Sequence, residues 1–350
     1  MRLSRQRLNR TLLQRQHLLE RTSATPHEMV RHLVGLQAQE NLPPYLSLSA
    51  RLTHVDPYDV SAALEDASLV RLLTMRGTIH LLTPDDALLL RPWVQPRMEQ
   101  ELRSSQNVSE VRSLDRDAFG DALRAVLADP LPQKDLSAAL APSFPDVPPA
   151  QLGHLARLLA PLAQLPPRGC WKRSGGVTYE YVDRWVSGEL AEPGPEDVAE
   201  VVRRYLRAFG PASAADVTAW SGVTRLGPLV TAMDDLVRHE DETGKVLFDV
   251  PHGELAEEDS PAPVRLLGAY DNVWLSHANR DRVSEPEARR AWMAENGASA
   301  SVILVDGWLT GLWRPEDGRI KILQTLRKLT RAEQSDLDDE IGRVEELLAR

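Results

Sequence analysis

The chain has one cysteine, Cys170, in 350 residues. A lone thiol excludes an internal disulfide framework and fits a reducing compartment. No apolar run approaches the roughly 20 residues needed to span a bilayer. The polar, arginine-rich start carries no secretory apolar core. The expected location is therefore cytoplasmic, with no membrane partner. Metal-ligand spacing is missing too: the nine histidines include no His-x-x-x-His pair, and no Cys pair is possible. No P-loop, dinucleotide glycine fingerprint or Gly-x-Ser-x-Gly elbow occurs. No metal and no cofactor are expected. Residues 1–110 also lack lysine. An amine nucleophile would have to come from further along the chain, such as Lys134 or Lys172.

What remains is an ordinary globular composition, 42% hydrophobic and 26% charged, long enough for two or three domains. Aromatics are scarce at 5%, although Trp outnumbers Phe. The net charge of -10 argues against a polyanionic partner until it is located. Residues 191–260 carry -9 of it, whereas 1–110, 111–190 and 261–350 stand at +1, 0 and -2. Most of the chain is near neutral and can present a local basic face to phosphates.

One order of elements recurs. Leu3 to Arg21 reads as a helix. A second helix opens at Thr25-Pro26, a threonine cap followed by proline at the first helical position. Short helices follow over Tyr45–Leu52 and Pro57–Glu65. Then two β-like runs, Leu69 to Arg76 and Thr78 to Leu82, flank Gly77. Helices followed by a hairpin is the order of a winged helix. A long helix is expected from Thr83-Pro84 through Leu102. The order returns over 111–190, with Gly169–Arg173 and Val177–Val182 as the expected strands. It returns again over 191–260, where Leu226–Leu236 is the third helix and Val237–Val250 the wing. From Pro261 the pattern becomes strand-rich, with strands near 264–269, 301–305, 309–313 and 319–323 and a final helix over 331–350. The expected class is a helix-rich α+β fold: three tandem winged-helix units over 1–110, 111–190 and 191–260, then a β-rich region over 261–350. The acidic third unit is the poorest candidate for facing DNA.

The stretch Val34-Gly35-Leu36-Gln37-Ala38-Gln39-Glu40-Asn41 ends at Pro43-Pro44. Gln37, Gln39 and Asn41 fall at alternate positions. These share a face only on an extended segment, and the prolines disfavour helix just before them. Spacing alone leaves two readings, a solvated helix end or three amides turned to one side. Trp171-Lys172-Arg173 beside Gly175-Gly176 is either a small basic wing on a DNA backbone or, for Trp171, part of the core. Arg76 is either an ion-pair partner for an early acidic residue or a phosphate or sugar contact. His80 is either packed between helices or part of that contact.

Taken together, Gly35-Leu36-Gln37-Ala38-Gln39, Arg76-Gly77-Thr78-Ile79-His80-Leu81, Leu267-Gly268-Ala269-Tyr270-Asp271 with Asn279-Arg280, and Val305-Asp306-Gly307 with Gly311 and Trp313 carry a resemblance. The chain resembles the bacterial winged-helix DNA glycosylases typified by AlkZ, over essentially its whole length. The pair Gln37 and Gln39 fits the Gln-x-Gln branch, which acts on interstrand crosslinks of the azinomycin type; a sister branch has Gln-x-Asp. The resemblance implies a C-shaped array of winged helices with DNA in its concave face. It makes Gln37 and Gln39 the catalytic candidates. Asn41, Arg76, His80, Lys172, Arg173, Arg280 and Arg319 are candidates for substrate or DNA contact, and the hairpin tip at Pro315–Arg319 for the minor groove. The implied partner is double-stranded DNA carrying alkylated or crosslinked purines, bound by a monomer.

Two amides constrain the chemistry. N-glycosidic hydrolysis passes through an oxocarbenium-like state, usually with a carboxylate nearby. A glutamine orients water but hardly deprotonates it. The leaving group must already be activated, as in a cationic N7- or N3-alkylpurine. Gln37 is expected to hold the water through its carbonyl, and Gln39 to orient water or sugar. A base tethered to the opposite strand cannot rotate into a closed pocket, so an open groove is expected. Two other readings stand beside this one: a non-catalytic winged-helix transcription regulator, and a resistance protein that sequesters a drug.

Overall fold

Helix starts follow the caps written into the sequence. In the computed structural model, which describes residues 1–294 and 300–350, Ser4 caps α1 (Arg5–Arg15). The helix stops well short of Arg21 because His17 takes a left-handed φ of 54°, a conformation no helix continues through. Thr25 and Glu28 form a capping box on α2 (Pro26–His32), with Pro26 at its first position. Val34 and Gly35 then turn left-handed at φ 52° and 97°, and the chain emerges as strand β1 (Leu36–Gln37). Helices α3 (Pro43–Arg51) and α4 (Pro57–Glu65) lead to the hairpin β2 (Val70–Leu73) and β3 (Ile79–Leu82). The helix expected through Leu102 is two, α5 (Pro84–Trp93) and α6 (Gln95–Ser104), meeting at Val94. Pro92 and Pro96 each remove an amide from the helical ladder there.

Residues 111–190 form α7 (Arg116–Val126), β4 (Leu131–Pro132), α8 (Gln133–Leu140), α9 (Pro149–Leu159), β5 (Leu162–Gln164), β6 (Thr178–Tyr181) and α10 (Val182–Trp185). The strand expected at Gly169–Arg173 is a turn, and β6 pairs with β5 instead. Pro166 and Pro167 cannot donate to a ladder, so the chain leaves the sheet after Gln164. The loop instead buries Cys170 and Trp171. The Trp171 amide donates to Ser61 Oγ at 2.8 Å and its ring lies 4.8 Å from that of Tyr45. Core is thus the correct reading for Trp171.

Residues 191–260 give α11 (Pro195–Phe209), α12 (Ala214–Ser221), α13 (Gly227–Ala232), β7 (Val237–Glu240) and β8 (Val246–Asp249). Strands β7 and β8 pair as an antiparallel hairpin over the stretch expected to be β, whereas α13 ends four residues before Leu236. The last region holds β9 (Arg265–Leu267), α14 (Asn272–Leu275), α15 (Pro286–Ala294), β10 (Ser301–Val305), β11 (Trp308–Glu316), β12 (Arg319–Thr325) and α16 (Arg331–Ala349). The expected strands are found, and α16 packs against β9 and β12.

The result is a helix-rich α+β fold with a C-terminal sheet. Strands of the first two segments merge into one six-stranded sheet in the order β1-β3-β2-β5-β6-β4, and β9 to β12 form a four-stranded antiparallel sheet. One contiguous apolar core runs from Leu12 to Leu348.

Buried ion pairs fasten the C-terminal region to the first. Arg51 on α3 holds Asp271 at 2.7 and 2.8 Å, with Ser47 and Gln16 accepting or donating around it. Both charged side chains are fully buried. Removing one partner leaves the other charge stranded in the interior. Asp271→Ala is expected to lower unfolding stability by about 3–5 kcal/mol in urea titration. Replacing both residues with apolar ones of similar volume recovers most of it.

Candidate active site

Strand β1 runs antiparallel to β3, pairing Leu36 with Leu81 and Gln37 with His80. Gln37 is therefore on an edge strand, on the same face as His80. Gly35 makes this docking possible, because a Cβ there would lie 2.4 Å from Leu82 Cδ2. Val34, β-branched and left-handed, is held in a conformation such residues rarely adopt, and strain of this sort gathers at functional sites. The chain is thus extended rather than helical at Leu36–Gln37, and it bends from Gln39 to Leu42.

Three of the candidate residues come together. Arg76, in the turn between β2 and β3, donates from Nη2 to Gln37 Oε1 at 2.9 Å and to His80 Nε2 at 3.0 Å, and from Nη1 to the Trp220 carbonyl at 2.5 Å. His80 Nδ1 faces the Thr78 carbonyl at 3.0 Å. Since a guanidinium only donates, Nε2 accepts and Nδ1 carries the proton. His80 is 1% exposed. Burial, then the Arg76 charge, push its pKa well below the usual value against a smaller opposing pull from Thr78. It stands neutral and is no proton donor at neutral pH. Arg76 meets no carboxylate among the described residues, so the ion-pair reading of it is incorrect, and His80 is packed against it.

Gln37 is 7% exposed. Its oxygen retains one lone pair beyond the Arg76 bond. Gln39 is exposed, and its Oε1 accepts from the Ile79 amide of β3 at 3.2 Å. Neither side-chain NH2 has a partner among the described residues. Two amides therefore present donors of fixed direction, with no carboxylate hydrogen-bonded to Gln37, Gln39, Arg76 or His80 among those residues.

The other candidates divide. Asn41, Lys172 and Arg173 line one cleft of about 490 Å³ together with Trp171 and the hairpin tip Pro315–Gly318. Lys172 is exposed, and Arg173 pairs with Glu65. Arg319 pairs with Glu345 of α16 at 2.8 Å. Arg280 stacks over Trp292 and Trp274, 5.4 and 6.0 Å from the ring centres. Neither Arg280 nor Arg319 bonds to the Gln37 cluster.

Three supports escaped the sequence reading. Arg71 Nη2 donates to the Ala38 carbonyl at 2.8 Å and Asn272 Nδ2 to the Gly35 carbonyl at 2.8 Å, gripping the motif's backbone from either end. The Trp220 carbonyl comes from the acidic segment. Arg71 was visible as a lone charge inside the apolar run Leu69–Leu73; Asn272 and Trp220 offered no signal. Arg71, Arg76 and Arg91 are all bound by neutral acceptors and unpaired with any carboxylate among the described residues. Burial lowers each to about 10, and they remain cationic. Two of these buried cations, Arg71 and Arg76, contact the amide-bearing segment directly. Among the described residues no group of three or more His, Cys, Asp or Glu is placed to hold a metal ion, and no helix is long and apolar enough to cross a membrane.

A sheet-edge amide pair backed by unpaired guanidinium groups defines a candidate site for a polyanionic substrate, and the comparisons agree with that class. Residues 30–347 match the model of the AlkZ-like DNA glycosylases, and the chain belongs to that family. A curated relative, the interstrand DNA cross-link repair glycosylase of Streptomyces sahachiroi, is 27% identical over 329 residues, covering 89% of this chain and 87% of its own. The solved structure of Streptomyces sahachiroi DNA glycosylase AlkZ superposes with a TM-score of 0.83 at 23% identity, covering 100% of this chain and 98% of that one. That likeness supports the fold. At such identities the chain is a relative of AlkZ and a different protein.

The buried and half-buried imidazoles predict acid sensitivity. His17, His32, His80, His239 and His277 all have pKa values lowered first by burial. Below about pH 6.5 the unfolded chain binds protons that the folded one refuses, so stability falls with pH. Melting temperature is expected to drop steadily between about pH 7 and 5. A flat profile in thermal melts would contradict these assignments.

Proposed function

We propose that this glycosylase hydrolyses the N-glycosidic bond of cationic N-alkylpurines, N7-alkylguanine and N3-alkyladenine, and unhooks interstrand crosslinks bridged through them. The observation that carries this reading is the pair Gln37 and Gln39 without a hydrogen-bonded carboxylate. The Gln37 oxygen already accepts from Arg76, and what is left of it is a weak acceptor that orients a water rather than deprotonating it. Gln39 directs its NH2 toward the same water or the sugar. A base already carrying positive charge departs without protonation, so positioning and electrostatics suffice.

Crosslink repair is supported by the name of the curated relative, and azinomycin-type lesions are the class we assign, in repair and self-resistance. An edge strand suits a base tethered across the duplex, since no full rotation into a closed pocket is needed. The cleft between Asn41, Lys172 and the Pro315–Gly318 tip is the proposed entry for a backbone or minor-groove contact. Reaction by water, with no lysine in residues 1–110, makes the enzyme monofunctional; we assign it to the cytoplasm as a monomer. Membership in an enzyme family favours this over a non-catalytic regulator or a drug-sequestering protein.

Duplex DNA carrying N7-methylguanine, and then crosslinked DNA, should yield abasic strands with the native chain. Gln37→Ala is expected to slow release on the order of a hundred-fold. Equal product from both proteins removes Gln37 from the mechanism.

A further inference from the structure

We propose that Arg76 is a positioning residue that fixes the orientation of the Gln37 amide, with neutral His80 as its stop and the end of α12 as its anchor. This rests on the reading of Gln37 as a catalytic amide.

The hydrogen count carries it. Arg76 Nη2 has two hydrogens and both are used, one on Gln37 Oε1 at 2.9 Å and one on His80 Nε2 at 3.0 Å. Nη1 is held by the Trp220 carbonyl at 2.5 Å. An inverted Gln37 would set its NH2 against a group that only donates, so the amide has one permitted orientation. Its free N–H groups and remaining lone pair then point in fixed directions. His80 accepts from Arg76 only because its proton sits on Nδ1, facing Thr78.

The surrounding backbone is shaped to this end. Arg76 adopts φ 58°, ψ 5°, left-handed geometry unfavourable for an arginine and therefore imposed by its surroundings. Gly222, the left-handed cap of α12, lets that helix end descend on it: a Cβ there would lie 3.0 Å from Arg76 Cα and N. The acidic 191–260 segment thus reaches the site through Trp220 and Gly222. It supplies the abutment that aims the guanidinium. A phosphate-binding arginine needs free donors and an exposed head, whereas here three of the donors are spent on protein acceptors.

Single-turnover excision of N7-methylguanine from duplex DNA, with DNA affinity measured separately, tests the assignment. Arg76→Ala and Arg76→Lys are expected to slow the chemical step at least about ten-fold while the Kd for DNA changes less than about three-fold. Arg76→Ala added to Gln37→Ala should slow the reaction by less than about two-fold further, because the two changes remove one interaction. Gly222→Ala, which keeps the guanidinium but crowds the Arg76 backbone, should give the same split even where Arg76→Ala melts early. Multiplicative losses in the double variant overturn the positioning role, and so does a loss confined to Kd. A native rate from Gln37→Ala alone overturns the catalytic reading itself, and the proposal with it.

Discussion

A buried positive charge with no carboxylate partner among the described residues is the central constraint on this molecule. Arg76 meets a glutamine oxygen, a neutral histidine and a backbone carbonyl. Each accepts a hydrogen bond and none cancels the charge. Arg71 and Arg91 are held in the same way. A fold organised for stability alone would place an aspartate here, as it does for Arg51 with Asp271 and Arg15 with Asp249. Leaving these cations unpaired is costly in a low-dielectric interior. It also leaves the positive charge uncancelled beside Gln37, and no carboxylate is hydrogen-bonded to Gln37, Gln39, Arg76 or His80 among the described residues.

These two consequences belong together. A carboxylate beside Gln37 would be drawn into a bond with Arg76 and would neutralise the field. An amide cannot. It accepts the hydrogen bond, keeps its orientation and leaves the positive charge in place. On the proposed reading, the chemistry that remains is positioning of water and sugar, which suffices for a base already prepared to leave. The proposed specificity then follows from the absence of a hydrogen-bonded carboxylate among the described residues, and the edge position of β1 is what we invoke for crosslinked substrates.

Much of this was legible in the chain, and what was not has a physical reason. Alternate amides ahead of two prolines pointed to an extended segment, and capping residues fixed helix starts at Thr25, Asp56 and Thr83. The hairpin around Gly77 was written in β-rich runs. Non-local pairing was not: nothing in Leu162-Ala163-Gln164 says that it lies between β2 and β6, because a three-residue strand carries little periodicity. Several residues that carried the resemblance have partners within the fold. Asp271 neutralises Arg51, Trp313 is fully buried with its Nε1 donating to the Val302 carbonyl, and Arg280 covers two indoles. Arg319 pairs with Glu345 at the surface and stays largely exposed. Sequence reasoning undervalued Arg71, whose burial in an apolar run was the better signal of a charge with a task.

The restriction to leaving groups that carry their own charge is the claim on which the rest turns. Its most direct test is excision of a neutral lesion, uracil or hypoxanthine, beside N7-methylguanine in the same duplex context. Release of the cationic base with no detectable release of the neutral one is the result predicted for a site of two amides and an unpaired guanidinium. Efficient release of the neutral base would contradict it, because such a base departs only with proton transfer that these residues cannot supply.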